Sequence, residues 1–201
     1  MLARLVQMDW FYWFAVWAFR TYARLFFGLR VTGLDNVPAS GGLVVACNHF
    51  SSFDPPVVGV SVPREIHFMA KSELFERRGT RLLMLGLRAF PVVRGGKDTS
   101  AIRNGIRKLR SGLAVGIFIQ GTRNAGDREA LHGAAFMALR GGAALLPTAV
   151  WREGRAFRVH FGEPLSTEGS ELTPAELTAS LTRAINSHLP EGRQMGPAAD
   201  I

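Results

Sequence analysis

Short apolar runs alternate with segments of helical periodicity along most of the chain. The runs are rich in Val, Leu and Ile and too short for helices, so they predict buried strands. Strands that alternate with helices indicate an α/β fold: a mixed, largely parallel sheet of about seven strands flanked by helices. The predicted strands lie at 31–38 (with its turn), 43–47, 66–70, 89–93, 113–119, 143–150 and 156–161.

Helices are predicted between the strands and after the last one. Thr173 followed by Pro174 and Glu176 is a typical helix start, because it combines a cap residue, proline at the first position and a capping box. Ile102, Ile106 and Leu109 recur at helical spacing among arginines. They predict an amphipathic helix with a basic face, and such a face is more often solvated than functional.

The segment at 1–30 holds ten of the chain's 20 aromatic residues. Its uncharged run from Trp10 to Phe19 is shorter than the roughly 20 apolar residues of a spanning helix. Aromatic residues mixed with arginines are typical of a helix in the membrane interface. A helix packed on the core and a dimer contact are alternatives, but a segment that is apolar on nearly all sides favours the interface. We therefore predict a membrane-associating segment at 1–30, one main domain at 31–189 and a flexible tail at 190–201.

A polar cluster, from Asn48 to Asp54, follows the central apolar run and precedes two prolines. His49 can take a proton from a hydroxyl, and a nearby carboxylate such as Asp54 can fix its tautomer. The alternative is a polar histidine at a strand end and an aspartate that only caps a helix, with Pro55 at its first position. The crowding of polar residues into one turn favours a functional site, and Asp54 is expected to serve both as helix cap and as partner of the histidine.

The net charge of +8 predicts an anionic partner: nucleic acid, an anionic membrane surface or a phosphorylated substrate. No nucleic acid is expected, because the aromatic residues do not interleave with the basic ones. No Cys/His spacing is typical of a zinc site, so no metal is predicted. Cys47, the single cysteine, closes an apolar run and is interpreted as a small buried hydrophobe, not a nucleophile.

Three basic residues, Lys71, Arg94 and Arg123, each follow a predicted strand. Because the carboxyl ends of neighbouring parallel strands meet at one edge of a sheet, we expect these side chains beside the histidine. Gly121 allows close backbone approach, Thr122 offers a hydroxyl, and arginines grip phosphate oxygens. The sequence therefore predicts a general base beside an anion clamp.

The cluster Asn48-His49-Phe50-Ser51-Ser52-Phe53-Asp54 resembles the Asn-His-x-Ser-x-x-Asp signature of the glycerolipid acyltransferases, the family of 1-acyl-glycerol-3-phosphate acyltransferase. The resemblance covers roughly residues 31–165, and its motifs follow in order at fitting spacing. The further matching segments are 70–74, 89–94, 118–123, 146–150 and 162–164.

The resemblance implies that His49 is the general base and that Asp54 orients it. It implies attack by an acceptor hydroxyl on the thioester of acyl-CoA or an acyl carrier protein, with no metal and no cofactor beyond that co-substrate. The residues expected to bind substrate are Asn48, Ser51, Lys71, Arg94, Gln120, Gly121, Thr122 and Arg123.

Ile119 and Gln120 depart from the family pattern, which has proline and glutamate there. Glutamine keeps the shape but loses the charge and gains donors, so the acceptor could differ. We expect acyl transfer to a lysophospholipid, 1-acyl-sn-glycerol-3-phosphate above all, at the cytoplasmic face of a membrane. Another lyso-lipid acceptor, or an inactive lipid-binding homologue, is the alternative.

Overall fold

The computed structural model describes residues 9–93, 99–120, 130–169 and 171–196. The strands in this part of the chain are β1 (Arg30–Thr32), β2 (Leu43–Cys47), β3 (Ile66–Lys71), β4 (Phe90–Val92), β5 (Ala114–Phe118), β6 (Ala144–Glu153) and β7 (Ala156–Phe161). The helices are α1 (Asp9–Phe27), α2 (Asp54–Ser61), α3 (Arg78–Gly86), α4 (Thr99–Arg110), α5 (Gly133–Gly141) and α6 (Pro174–Asn186), with short 3-10 helices at Leu34–Asn36 and Ser72–Phe75.

All seven strands form one sheet in the order β1-β7-β6-β2-β5-β3-β4. The five strands from β6 to β4 run parallel. A tight turn at Gly154, whose φ is +57°, makes β7 antiparallel to β6, and β1 runs parallel to β7. The predicted α/β fold with a mixed, largely parallel sheet is therefore confirmed, and each predicted strand has a counterpart.

The core divides into two clusters, one on each face of the sheet. Alternate residues of β2 point to opposite sides: Val45 and Cys47 join the first cluster, and Val44 and Ala46 join the second. Every residue of β2 is buried, since helices cover both faces. Helices α1 and α2 cover the first face, and α4, α5 and α6 cover the second.

Helix α1 uses only one side of its surface to pack on the domain. Tyr12, Val16 and Ala23 are buried there, and the backbone N–H of Ile66 donates to the Tyr12 hydroxyl at 3.2 Å. The opposite side leaves large apolar residues exposed: Trp10, Trp13, Phe14, Trp17 and Leu25. Within the described ranges, no helix is both long enough and apolar enough to cross a membrane.

The capping box predicted for α6 is present, with reciprocal bonds between Thr173 and Glu176. Beyond the helix, Met195 is buried in the second cluster, and its backbone N–H donates to Asn186 Oδ1 at 2.8 Å. Met195 therefore anchors the first part of the tail against α6, whereas residues 190–194 are exposed.

Candidate active site

The carboxyl ends of the central strands lie level with one another. Cys47, the last residue of β2, pairs with Phe118 of β5 and Thr148 of β6. The residues that follow β2 and β5 therefore meet at one edge of the sheet, as the sequence predicted. Lys71 ends the parallel strand β3 and lies along the same edge.

The Asp54 side chain turns away from the helix that it was expected to cap. Helix α2 begins at Asp54 itself, Phe53 is the cap residue, and no side chain caps the helix. Pro55 and Pro56 carry no N–H, and the N–H of Val57 donates to the Phe53 carbonyl at 2.9 Å. The helix start therefore offers the carboxylate no donor, and the predicted cap role of Asp54 is wrong.

One oxygen of Asp54 instead collects three donors from the turn before the helix. His49 Nδ1 lies 2.8 Å from Asp54 Oδ2, and the N–H groups of Phe50 and Ser51 donate to the same atom at 2.7 and 2.8 Å. The carboxylate is fully buried, His49 is nearly so, and Oδ1 has no partner among the described residues. These charge-assisted bonds assign the Nδ1 proton of a neutral imidazole and leave the Nε2 lone pair for a substrate proton.

An aromatic stack supports the plane of the imidazole. The Phe118 ring lies 4.2 Å from the His49 ring, centroid to centroid, at 29°, and the Phe68 ring stacks on Phe118 at 5.8 Å. Strand β5 continues through Gly116, where a Cβ would come within 2.3 Å of the Phe68 ring. Glycine at this position therefore makes room for the rings that hold the histidine.

Two amides fasten the turn to the neighbouring strands. The Asn48 side chain donates to the Val150 carbonyl at 2.7 Å and accepts from the Val150 N–H at 2.8 Å, which ties the end of β2 to β6. Gln120 Oε1 accepts the backbone N–H of His49 at 2.9 Å. Both residues were predicted to bind substrate, and the structure shows them positioning the turn that carries the histidine.

The remaining predicted residues divide into two groups. Ser51 Oγ accepts the N–H of Phe53 at 3.2 Å, and the exposed Lys71 ammonium lies 3.4 Å from Glu73 Oε1, so both have local partners. The predicted anion clamp lies outside the described residues: Arg94, Gly121, Thr122 and Arg123.

Two features of the site were not predicted from the sequence. Phe118 belongs to the predicted strand and to the matching segment 118–123, but no role was predicted for its ring, which stacks on His49. Arg193, from the predicted tail, places its guanidinium 6.0 Å from the Phe50 ring centroid and adds a cation beside the turn. Only folding brings the tail to this turn, so its distance in sequence hid the contact.

Cys47 is fully buried, as predicted. Burial raises the pKa of its thiol far above the ordinary range, and the nearby Asp54 carboxylate acts in the same direction. The thiol therefore stays protonated and is unsuited to attack a thioester. Among the described residues, no group of three or more His, Cys, Asp and Glu side chains could hold a metal ion.

A histidine paired with a buried carboxylate, at the carboxyl edge of an α/β sheet, suits group transfer assisted by a general base. The chain belongs to the acyltransferase family, whose sequence model matches residues 28–151. The family resemblance carried by the motifs is thereby confirmed, and the protein is an acyltransferase.

Individual relatives agree with this assignment. The chain is 34% identical over 175 residues to the 1-acyl-sn-glycerol-3-phosphate acyltransferase of Bacillus subtilis, covering 82% of this chain and 87% of that protein. It is 27% identical over 131 residues to the enzyme of the same name from Borreliella burgdorferi, covering 63% and 52%. The crystal structure of the 1-acyl-sn-glycerophosphate (LPA) acyltransferase PlsC from Thermotoga maritima matches with a TM-score of 0.69 and 25% identity, covering 87% of this chain and 75% of that one.

Proposed function

We propose that this acyltransferase moves a fatty acyl group from a thioester to the free hydroxyl of 1-acyl-sn-glycerol-3-phosphate, giving phosphatidic acid. The observation that carries the proposal is the 2.8 Å contact between His49 Nδ1 and Asp54 Oδ2. It leaves one basic nitrogen for a hydroxyl proton. The three relatives are named for acylation of this acceptor, which supports the assignment.

In the proposed reaction, His49 Nε2 takes the proton of the acceptor hydroxyl while its oxygen bonds to the thioester carbonyl carbon. Asp54 stabilises the imidazolium that forms. The tetrahedral intermediate collapses, the carbon–sulfur bond breaks, and the imidazolium returns the proton to the departing thiolate. The donor is acyl-CoA or an acyl carrier protein, and the reaction as written needs no other cofactor.

The phosphate of the acceptor is the proposed ligand of Arg94 and Arg123, with Gly121 and Thr122 supplying backbone and hydroxyl contacts. Arg193 adds a positive charge beside the turn, since its guanidinium lies 6.0 Å from the Phe50 ring centroid. Cations near the attacking hydroxyl would bring the anionic lipid to the base and keep it there.

Glutamine at position 120 does not by itself support the alternative of an inactive homologue. Its Oε1 accepts the His49 backbone N–H at 2.9 Å, and a glutamate oxygen could make the same bond. The contact that positions His49 therefore survives the replacement.

Helix α1 is the proposed site of membrane contact. Its outward side exposes three tryptophans, with Trp17 63% accessible, and an exposed arginine, Arg24. Tryptophan and arginine together are typical of the membrane interface. A lipid acceptor reaches the enzyme from such a surface, and both proposed donors are cytosolic, so we propose a peripheral enzyme on the cytoplasmic face.

A panel of acceptors tests the substrate assignment. The purified chain is given a palmitoyl thioester and, in turn, 1-acyl-sn-glycerol-3-phosphate, lysophosphatidylcholine, lysophosphatidylethanolamine and glycerol 3-phosphate, and products are identified by mass spectrometry. We expect phosphatidic acid as the dominant product. Preference for another acceptor would contradict the assignment, and turnover of none would support the inactive homologue.

Membrane contact is tested with a Trp13→Gln/Trp17→Gln variant in sedimentation with phosphatidylglycerol vesicles. Deletion of α1 is a poor test, because it would uncover core residues such as Tyr12 and Val16. We expect the variant to lose most vesicle binding. Phe136→Gln, which alters an exposed aromatic residue on the opposite helical layer, should keep it. Equal binding by wild type and the tryptophan variant would contradict the proposal.

A further inference from the structure

Helices α4 and α5 border an open groove of about 670 Å³ on the second face of the domain. Its floor is apolar: Ile102 and Ile106 are half-buried, and Phe136 is 36% exposed. Its rim carries four arginines, which are Arg103, Arg107, Arg110 and Arg140.

The four rim arginines are exposed, and none forms an ion pair with any residue in the described ranges. Helix α4 itself has four basic residues and no acidic one. The nearest contacts are to neutral groups: Arg110 Nη2 donates to the Arg140 carbonyl at 3.0 Å, and the Arg140 guanidinium lies 5.7 Å from the Phe136 ring centroid. The groove therefore presents positive charge that the described part of the chain does not neutralise.

Several arginines elsewhere in the described residues stabilise the fold through ion pairs or hydrogen bonds. Arg158 pairs with Glu153, Arg88 pairs with Asp9 and Glu65, and Arg64 donates to three backbone carbonyls. Arg110 contacts the Arg140 carbonyl, but the Arg103 and Arg107 side chains have no hydrogen-bond or ion-pair partner among the described residues. The four rim arginines also converge from two helices on an apolar floor, which a merely solvated face does not require.

The spacing of the groove matches an amphipathic helix. Arg103, Arg107 and Arg110 form one row along α4, and Ile102 and Ile106 form a parallel row at helical spacing. An incoming helix can lay its apolar side on the isoleucines and Phe136 while its carboxylates meet the arginines.

If α1 contacts the bilayer, the membrane is not the partner that binds this groove. The exposed tryptophans belong to the layer that covers the first face, and the groove lies in the layer that covers the second. Among the residues lining it, Phe136 is the sole aromatic residue in the described part of the chain. The groove therefore opens toward the aqueous phase.

One end of the groove faces the same edge of the sheet as His49. Helix α4 starts at Thr99 after β4, whose carboxyl end lies at the His49 edge, and ends before β5 begins at Ala114. Thr99 and Arg103 therefore lie at the end of the groove nearer the site. A protein bound in the groove could extend a flexible arm that carries the thioester toward the edge of the sheet where His49 lies.

We propose that the groove between α4 and α5 docks an acidic, helical acyl carrier protein that delivers the thioester. The inference rests on the proposed function, since it names the source of the acyl group. Of the two proposed donors, an acidic helical carrier protein can lay an apolar side on the isoleucines and carboxylates on the arginines, whereas CoA carries its charge on phosphates and has no helical surface. The lipid acceptor and the acyl donor then approach from opposite faces of the sheet.

The test compares two donors with one acceptor. An Arg103→Glu/Arg107→Glu variant is assayed with palmitoyl-acyl carrier protein and with palmitoyl-CoA, using 1-acyl-sn-glycerol-3-phosphate. We expect kcat/KM with the carrier protein to fall about tenfold or more, because each reversed charge repels the partner. We expect kcat/KM with palmitoyl-CoA to stay within about twofold of the wild-type value. The thermal unfolding midpoint should stay within a few degrees of wild type. Arg155→Glu, an exposed arginine in the β6–β7 turn, is the matched control and should change neither donor.

Other outcomes overturn the proposal. A loss confined to palmitoyl-CoA would assign the groove to CoA, and equal losses with both donors would show a role that both reactions share. Unchanged rates with both would leave the groove without a donor, and weaker vesicle binding by the variant would make it a membrane surface. Fluorescence anisotropy with labelled holo-acyl carrier protein separates the two proposals. If the wild-type protein turns over neither thioester, the proposed function is wrong. If wild type and variant then also bind the carrier protein equally well, the groove is not its docking site.

Discussion

Two histidines of this chain each lie beside a carboxylate, at opposite ends of the sheet. His49 meets Asp54 at 2.8 Å at the carboxyl edge, and His67 meets Glu65 at 3.1 Å near the amino end of β3. Both rings are almost fully buried. The residue types and distances alone therefore do not distinguish the two pairs.

Their surroundings do distinguish them. Asp54 receives three donors on one oxygen, and no described cation lies within ion-pair distance of either partner. His67 Nδ1 lies 3.0 Å from the Arg88 carbonyl and 3.2 Å from the Lys108 ammonium, and Arg88 also pairs with Glu65. The first carboxylate can support an imidazolium, whereas the second is shared with arginine.

The cations around His67 make that imidazole a poor base. Burial lowers the pKa of His67 to about 4, and the Lys108 and Arg88 charges act in the same direction. The Arg88 carbonyl opposes this effect, and Glu65 does not overcome it. We interpret the His67 cluster as a structural tie between β3, α4 and the start of α1, where Asp9 pairs with Arg88.

The largest expected difference between the histidines is in catalysis. His49→Ala should lower kcat by about 10²–10⁴-fold, since it removes the proposed proton acceptor. His67→Gln should keep kcat near wild type. Both are measured as phosphatidic acid formed per minute at saturating substrates, with circular dichroism as the folding control. Equal losses in the two variants would mean that the pairs are not distinct.

A smaller separation is expected between the carboxylates. Asp54→Asn should lower kcat about 10²-fold, because an amide accepts poorly from the His49 Nδ1–H and stabilises no imidazolium. Glu65→Gln should leave kcat almost unchanged, because its partner histidine takes no part in the reaction. Full activity in Asp54→Asn at neutral pH would remove the orienting role.

The smallest expected effect concerns stability and pH. The pKa of His67 is lowered on folding, so its stabilising effect is present above pH 6.5 and is lost as the pH falls toward 4. The loss should be about 1–3 kcal/mol, allowing for partial solvent screening. Urea unfolding at pH 7 and pH 4.5 should show a smaller decline for His67→Gln than for wild type. Parallel declines would place the pKa of His67 near its ordinary value.

The sequence predicted the sheet well because its central strands are buried on both faces. Such strands are continuous apolar runs, of which β2 is the clearest. The order of the strands in the sheet was not predicted. Strand β5 lies between β2 and β3, and the local sequence pattern does not determine which strands pair across the sheet. The contacts between α4 and α5 that form the groove are tertiary contacts, so local sequence patterns do not predict them either.

The site was predicted in its residue types more than in its geometry. The spacing of His49 and Asp54 indicated a pair, and the structure places them in contact. The cap role failed because two prolines remove the donors that a capping side chain needs. Asn48 and Gln120 satisfy backbone groups of other segments, which no local pattern records.

A double-mutant cycle tests most directly whether His49 and Asp54 act as one base. We compare kcat for His49→Ala, Asp54→Asn and the combined variant with 1-acyl-sn-glycerol-3-phosphate and one palmitoyl thioester. If the carboxylate acts only through the imidazole, the combined variant should be no slower than His49→Ala, within about threefold. A combined loss equal to the product of the two single losses would show independent roles and contradict the proposed mechanism.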